Sequence, residues 1–189
     1  MSANTRLYVK KLTLSAMFLA LGLVLPLLTG QLHSLGNMLL PMHLPVLLCG
    51  LICGWQYGGL VGFILPMLRF SIFGMPRMPL AIPMAFELAA YGLIVGSLFA
   101  LSKSKSLWAI YRSLLAAMVG GRIVWAVGRV ILAGVSNVPF GWQVFLTAGF
   151  VEALPGILLQ LLLIPAIMVA LTRAGLVPLT AREAAAHKA

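Results

Sequence analysis

The chain has 189 residues, of which aliphatic, aromatic and cysteine side chains make up 62% and charged ones 8%, against roughly 45–50% and about 25% in a soluble domain. No water-soluble fold can hide that much apolar surface, and the length accommodates about six apolar spans with short turns and no sizeable soluble domain. The net charge of +10 does not point to nucleic acid, because the Lys and Arg residues form no basic stripe interleaved with polar contacts; they lie mostly between apolar runs, where they determine topology.

The first apolar run, residues 12–28, follows Arg6, Lys10 and Lys11. Thr29-Gly30-Gln31 is a poor signal-peptidase site and hydrophobic sequence continues beyond it, so the run predicts a first transmembrane helix. Ala16-x-x-x-Ala20, with Ser15 and Gly22 nearby, gives that helix a ridge of small residues which lets another helix approach closely, within the chain or from a separate subunit. A polar loop, residues 30–37, leads to a second span at 39–53 that is short and carries Pro41 and Pro45; such a segment is tilted, broken or partly re-entrant and needs protein cover. Cys49 and Cys53 on it are too few for a zinc set and read as small packing residues.

Further spans are predicted at 57–73, 80–101, 107–133 and 142–171, separated by clusters of Gly, Pro, Ser and Asn. The expectation is an all-α membrane protein, a six-transmembrane-helix bundle forming a single membrane-embedded domain over residues 1–189. With the amino terminus in the cytoplasm, Arg6, Lys10, Lys11, Lys103, Lys105, Arg112, Arg173, Arg182 and Lys188 all fall inside, while the loops at 31–37 and 134–141 carry no Lys or Arg. The positive-inside rule therefore predicts both termini cytoplasmic. The Ala-rich tail, residues 180–189, extends the last helix or frays.

Arg69, Arg77, Glu87, Arg122, Arg129 and Glu152 remain in or at the edge of apolar spans. An ionisable group at the bilayer centre costs roughly 2.5–3.5 kcal/mol on insertion scales, so it pairs, faces a cavity or serves function. In this topology Arg122 is near mid-membrane and the others lie toward the outer side, which places a candidate site opening outward. Arg122 and Arg129 are two helical turns apart on one face with Trp125 close to it, and Glu87 and Tyr91 share a face in the same way. Four Arg against two Glu leaves a positive excess suited to a carboxylate or phosphate, either of which a guanidinium fork matches with two hydrogen bonds. Asn37 and His43, with Gln31, His33, Asn137 and Gln143, supply donors and acceptors for the mouth. The substrate-binding candidates are thus Asn37, His43, Arg69, Glu87, Tyr91, Arg122, Trp125, Arg129 and Glu152. The competing reading is structural: ion pairs between helices, with Arg77 and Arg129 snorkelling to headgroups. His33 and His43 lack the partners of a metal site.

No Walker sequence is present, so the chain does not use ATP through a P-loop. Three acidic residues in all are too few for metal-assisted phosphoryl chemistry, and Glu87 or Glu152 would be the only acid or base of a membrane enzyme. No cofactor is implied.

The chain's size, its apolar spans, its basic amino terminus and Ala16-x-x-x-Ala20 resemble the substrate-binding S components of energy-coupling factor (ECF) vitamin transporters, over most of its length. Leu39-Leu40-Pro41-Met42-His43-Leu44-Pro45-Val46-Leu47-Leu48-Cys49-Gly50, Phe73-Gly74-Met75-Pro76 and Ala85-Phe86-Glu87-Leu88-Ala89-Ala90-Tyr91-Gly92 resemble the branch that includes pantothenate-type S components. The resemblance implies a plasma-membrane subunit that binds a vitamin, pantothenate by best match, from outside. It further implies that Ala16 and Ala20 dock on a transmembrane coupling protein, which works with two cytoplasmic ATPases. A second function stays open from the residues alone: a non-transporting assembly or scaffold subunit whose buried charges are structural.

Overall fold

The computed structural model describes residues 3–29, 39–78, 80–103, 105–136, 141–147 and 151–175. All regular structure among them is helical: α1 (Ala3–Thr29), α2 (His43–Cys53), α3 (Trp55–Phe73), α4 (Ala81–Leu101), α5 (Leu107–Ser136), the short α6 (Trp142–Leu146) and α7 (Leu154–Arg173). α1, α3, α4, α5 and α7 are long and apolar enough to cross a membrane; α2, at 11 residues, is not. At 1.5 Å per residue α2 covers about half of a hydrocarbon core roughly 30 Å thick. The second span is therefore a half-length helix beginning only after Pro41, and nine of its residues, His43 among them, are buried. A helix apolar on all sides belongs in the interior. α1, α3, α4 and α7 surround it.

Backbone chemistry sets the boundaries. Gly54, at φ 104°, breaks α2 from α3 in a conformation that a side chain would strain. Gly74, left-handed at φ 67°, closes α3 with its N–H on the Phe70 carbonyl. At the far end of α4 the Lys105 ammonium donates to the carbonyls of Phe99 and Ala100, the favourable place for a cation on a helix dipole; partial burial pushes its pKa down.

The predicted sixth span at 142–171 is not continuous. It is divided into α6 and α7, and the Glu152 N–H donates to the Thr147 carbonyl at 2.8 Å, a step of five residues and wider than an α-helical turn. Pro155, in the first turn of α7, sits where its missing N–H costs nothing and where a helix most readily restarts. Glu152 consequently lies in an exposed turn rather than within a span.

What brings α2, α3 and α4 together is the absence of side chains where their backbones meet. A Cβ on Gly92 of α4 would fall 2.2 Å from the carbonyl carbon and oxygen of Gly58 on α3; one on Gly62, 2.3 Å from the Leu88 oxygen; one on Gly50 of α2, 2.7 Å from the Gly92 oxygen. Gly58 and Gly62, like Gly92 and Gly96, are four residues apart, so each helix presents a continuous strip of bare backbone. Gly92→Ala is expected to destabilise the bundle by about 1–3 kcal/mol or more, since backbone cannot yield as a flexible side chain can. Gly134→Ala, which meets nothing within 4 Å, should leave the thermal unfolding midpoint in detergent unchanged or slightly raised; equal midpoints for the two variants would refute the close-packing account.

Candidate functional site

A cavity of about 490 Å³ opens at one end of the bundle. Pro26 of α1, the Leu40–His43 turn, Arg69 of α3, the Met75–Arg77 loop, Leu80, Met84 and Glu87 at α4, Arg122, Trp125 and Arg129 of α5, and Glu152 line it. α1, α4, α5 and α7 reach this end with one terminus and carry Lys10, Lys11, Lys103, Arg112 and Arg173 near the other. Seven of the nine substrate-binding candidates thus meet on one cavity, His43, Arg69, Glu87, Arg122, Trp125, Arg129 and Glu152, and Arg77 joins them.

The innermost layer is a buried polar cluster. Glu87 is 2% exposed and Arg122 5%; the Arg122 Nη1 donates to Glu87 Oε1 at 2.9 Å. This is the ion pair of the structural reading. His43 Nε2 lies 3.6 Å from the same oxygen, too far for a hydrogen bond. His43, expected at the mouth, is instead an inner-wall residue at 1% exposure, because α2 is drawn into the middle of the bundle. Tyr91 is one turn of α4 beyond Glu87, edge-on to the His43 ring at 5.0 Å, with its hydroxyl at 3.5 Å from the Met118 carbonyl. It does not line the cavity; it backs His43, so its expected contact with a ligand becomes a supporting one.

The pair leaves donors over. Arg122 uses Nη1 on Glu87, whereas Nε and Nη2, the two-pronged edge of the guanidinium, have no hydrogen-bond partner among the described residues. Both ring nitrogens of His43 are in the same state. Buried donors or acceptors without partners cost about 1–3 kcal/mol each; in native structures such groups call for a water, an ion or a ligand.

The outer layer is aromatic and cationic. Trp125 has the Arg122 and Arg129 guanidinium carbons each 5.9 Å from its ring centre, and Phe145 of α6 stacks on it at 6.4 Å. One indole thereby offsets part of the charge of two arginines by cation–π attraction. Arg69 Nη1 donates to the Leu23 carbonyl of α1 at 3.2 Å and its guanidinium rests on Phe73. Arg77 and Glu152 are exposed at the rim. Gln143 is exposed on α6 and outside the cavity lining; Gln31, His33, Asn37 and Asn137 lie outside the described residues.

Two contributors were not anticipated. Leu40 adopts a left-handed φ of 49°, and Gln160 of α7, 2% exposed, reaches its carbonyl with Nε2 at 3.4 Å. A lone amide in an apolar run is the same signal that drew attention to the arginines. Among the described residues no group of three His, Cys, Asp or Glu is arranged to hold a metal. The free Cys49 and Cys53 are buried, with the Cys49 thiol 3.7 Å from the Ser15 hydroxyl.

The energetics of the inner pair can be tested directly. Glu87→Ala strands the Arg122 charge and is expected to cost about 3–5 kcal/mol, whereas Glu87→Leu combined with Arg122→Met, which removes both charges and keeps volume, should recover most of that loss. Thermal unfolding of the three proteins in detergent decides; a double variant no more stable than Glu87→Ala would show that the pair does not act as a unit.

The model of the family described as ECF transporter, substrate-specific component, matches residues 10–177. Comparison with curated proteins and with solved structures gave no match. The family match covers most of the chain and agrees with five membrane-length helices and a cavity bordered by buried charges. The chain belongs to the substrate-specific components of ECF transporters, integral membrane subunits that bind a small molecule and work with a transmembrane coupling subunit and ATPase subunits.

Proposed function

We propose that the cavity at the Glu87–Arg122 pair is the substrate site and that its ligand is an anionic vitamin or related small molecule, with pantothenate the best candidate. The observation that carries this reading is the set of buried polar atoms without partners there among the described residues: the Nε/Nη2 edge of Arg122 and the ring nitrogens of His43 border a space of about 490 Å³, within the usual range of about 300–1,000 Å³ for small-molecule sites. A carboxylate accepts both prongs of that edge at once, and a hydroxyl or amide of the ligand satisfies His43. Arg129, Arg69, Trp125 and Glu152 complete the wall and rim, Glu87 orients Arg122, and Tyr91 supports His43. Pantothenate combines one carboxylate with hydroxyls and an amide, which matches this mixture.

The proposal includes orientation. Both termini lie in the cytoplasm of a plasma-membrane protein, the cavity opens outward, and six membrane segments are counted with α2 as the half-length one. The exposed face of α1 docks on the coupling protein: Ala16 and Ala20 are exposed while Ser15, Phe18 and Gly22 are buried against the bundle. ATP hydrolysis belongs to the two cytoplasmic partners.

Tryptophan fluorescence of the purified protein, titrated with pantothenate, its neutral alcohol analogue pantothenol and a panel of other vitamins, tests the site. Pantothenate should saturate, pantothenol should bind roughly 10–100-fold more weakly for want of the charge-assisted bonds, and Arg122→Lys, which keeps the charge but not the fork, should lose a comparable factor. Equal affinities for acid and alcohol, or silence across the panel from folded protein, would count against the reading. For the docking face, Ala16→Trp or Ala20→Trp should abolish uptake in cells while leaving ligand binding intact; loss of binding with normal complex assembly would contradict it.

A further inference from the structure

Arg69 lines the cavity, yet the hydrogen bond that the structure gives it runs the other way, from α3 to the backbone of α1. Its Nη1 donates to the Leu23 carbonyl at 3.2 Å, and at 8% exposure the guanidinium is held among protein groups. Leu23 is three residues before Pro26, which interrupts the hydrogen-bond ladder of α1 and itself lines the cavity. Carbonyls around such an interruption in a membrane helix are re-satisfied by neighbouring side chains. Leu23 is also one and two turns beyond Ala20 and Ala16. Exposed Val24 and Leu27 continue the Ala16 and Ala20 stripe toward the cavity end. One guanidinium therefore touches both the cavity and the helix that carries the exposed face.

We infer that Arg69 is a positioning residue which transmits occupancy of the cavity to the docking face of α1, an inference that rests on the substrate and docking reading above. Arg69 has two competing acceptors: the neutral Leu23 carbonyl, and the anionic group of a bound ligand. A charge-assisted bond is roughly twice as strong as one to a neutral acceptor, so the anion draws Arg69 away from α1. The Leu23 carbonyl, which sits beside the one that Pro26 leaves without its N–H donor, then loses the side-chain bond that ties this turn of α1 to α3. Near its middle α1 is fixed to α2 by the Cys49–Ser15 contact and to α3 by the close fit of Gly22 against Leu65. The adjustment consequently falls on the turns around Pro26, and the stripe ending in Val24 and Leu27 changes its presentation to the partner. Two sites with two discrete partner choices at one side chain meet the requirement for coupling.

The test is a thermodynamic cycle. Affinity of the full chain in lipid nanodiscs for the purified coupling complex is measured without ligand, with saturating pantothenate and with propionate as a bare carboxylate, for the wild type, Arg69→Met and Arg69→Lys. In the wild type the carboxylate should change docking affinity by about 5–150-fold. In Arg69→Met that ratio should collapse toward one, with the ligand-free variant docking like the loaded wild type, and Arg69→Lys should retain part of it. A purely structural role would alter docking with and without ligand alike and leave the ratio intact, and that outcome overturns the inference. So does wild-type docking that neither carboxylate alters. A wild type that responds to propionate and not to pantothenate removes pantothenate from the reading above and supports the coupling; a wild type that does not dock overturns both. Should Arg69→Met fail to fold, Arg69→Lys carries the same comparison.

Discussion

Everything at the cavity depends on α2 being buried at the centre of the bundle, and that depends on bare backbone. In a bilayer no hydrophobic force favours helix over lipid, so association rests on close packing and on polar contacts between helices. Gly50, Gly58, Gly62, Gly92 and Gly96 let α2, α3 and α4 approach until backbone atoms are in contact. Side chains as small as alanine would part them. Because α2 is held that deeply, it can be only 11 residues long and still have nine of them buried, and the space left above its amino terminus becomes the cavity. The turn at Leu40, with its left-handed φ and its carbonyl met by Gln160, is where the chain folds down into that space.

Within this frame the charges explain one another. Glu87 is buried beside the Arg122 guanidinium and fixes it through Nη1, so the remaining edge of the fork cannot turn to solvent for a partner. A buried ion pair of this kind is weak evidence for stability by itself, since the cost of desolvation offsets most of the attraction. Its consequence is geometric: the carboxylate orients the arginine that a ligand would meet. In the proposed site the structural and ligand-binding readings of the pair, opposed at the level of sequence, are compatible within one arrangement.

The polar positions were legible for a physical reason. Ionisable groups in apolar runs are costly enough to be conspicuous, and six of them, with Trp125 on the arginine face and His43 at the start of α2, line the cavity. Helical periodicity correctly placed Arg122, Trp125 and Arg129 along one face. The finer errors have equally specific causes. Hydropathy ran on past Glu152 because Val151 and Leu154 are as apolar as a helix requires, whereas the restart of the helix is set by Pro155 and the wide turn at Glu152. Tyr91 shares a face with Glu87, but face alone could not tell that His43 would stand between it and the cavity. The glycine strips were visible as spacings and went unread, since glycine in a membrane helix announces close approach without naming the neighbour. Depth misled at His43, where a position near a predicted loop became interior once α2 was half-length.

A subunit that binds a ligand and draws on another subunit's ATP must tell its partner whether it is loaded. The position of α1 suits it to carry that signal. It is the least buried of the long helices, its exposed side carries small residues suited to another helix, and its opposite side reaches the cavity at Pro26. Packing by side-chain fit alone would make this helix either rigidly part of the bundle or independent of it. A proline beside a carbonyl that also accepts from the Arg69 guanidinium gives a third possibility, a helix whose far half is tied to a polar group in the cavity. The surplus of arginine over glutamate then has more than one use. Arg122 is held by Glu87 and presents its free edge, while Arg69 is held by a neutral carbonyl, the weaker of its available acceptors, and is for that reason the one that can let go.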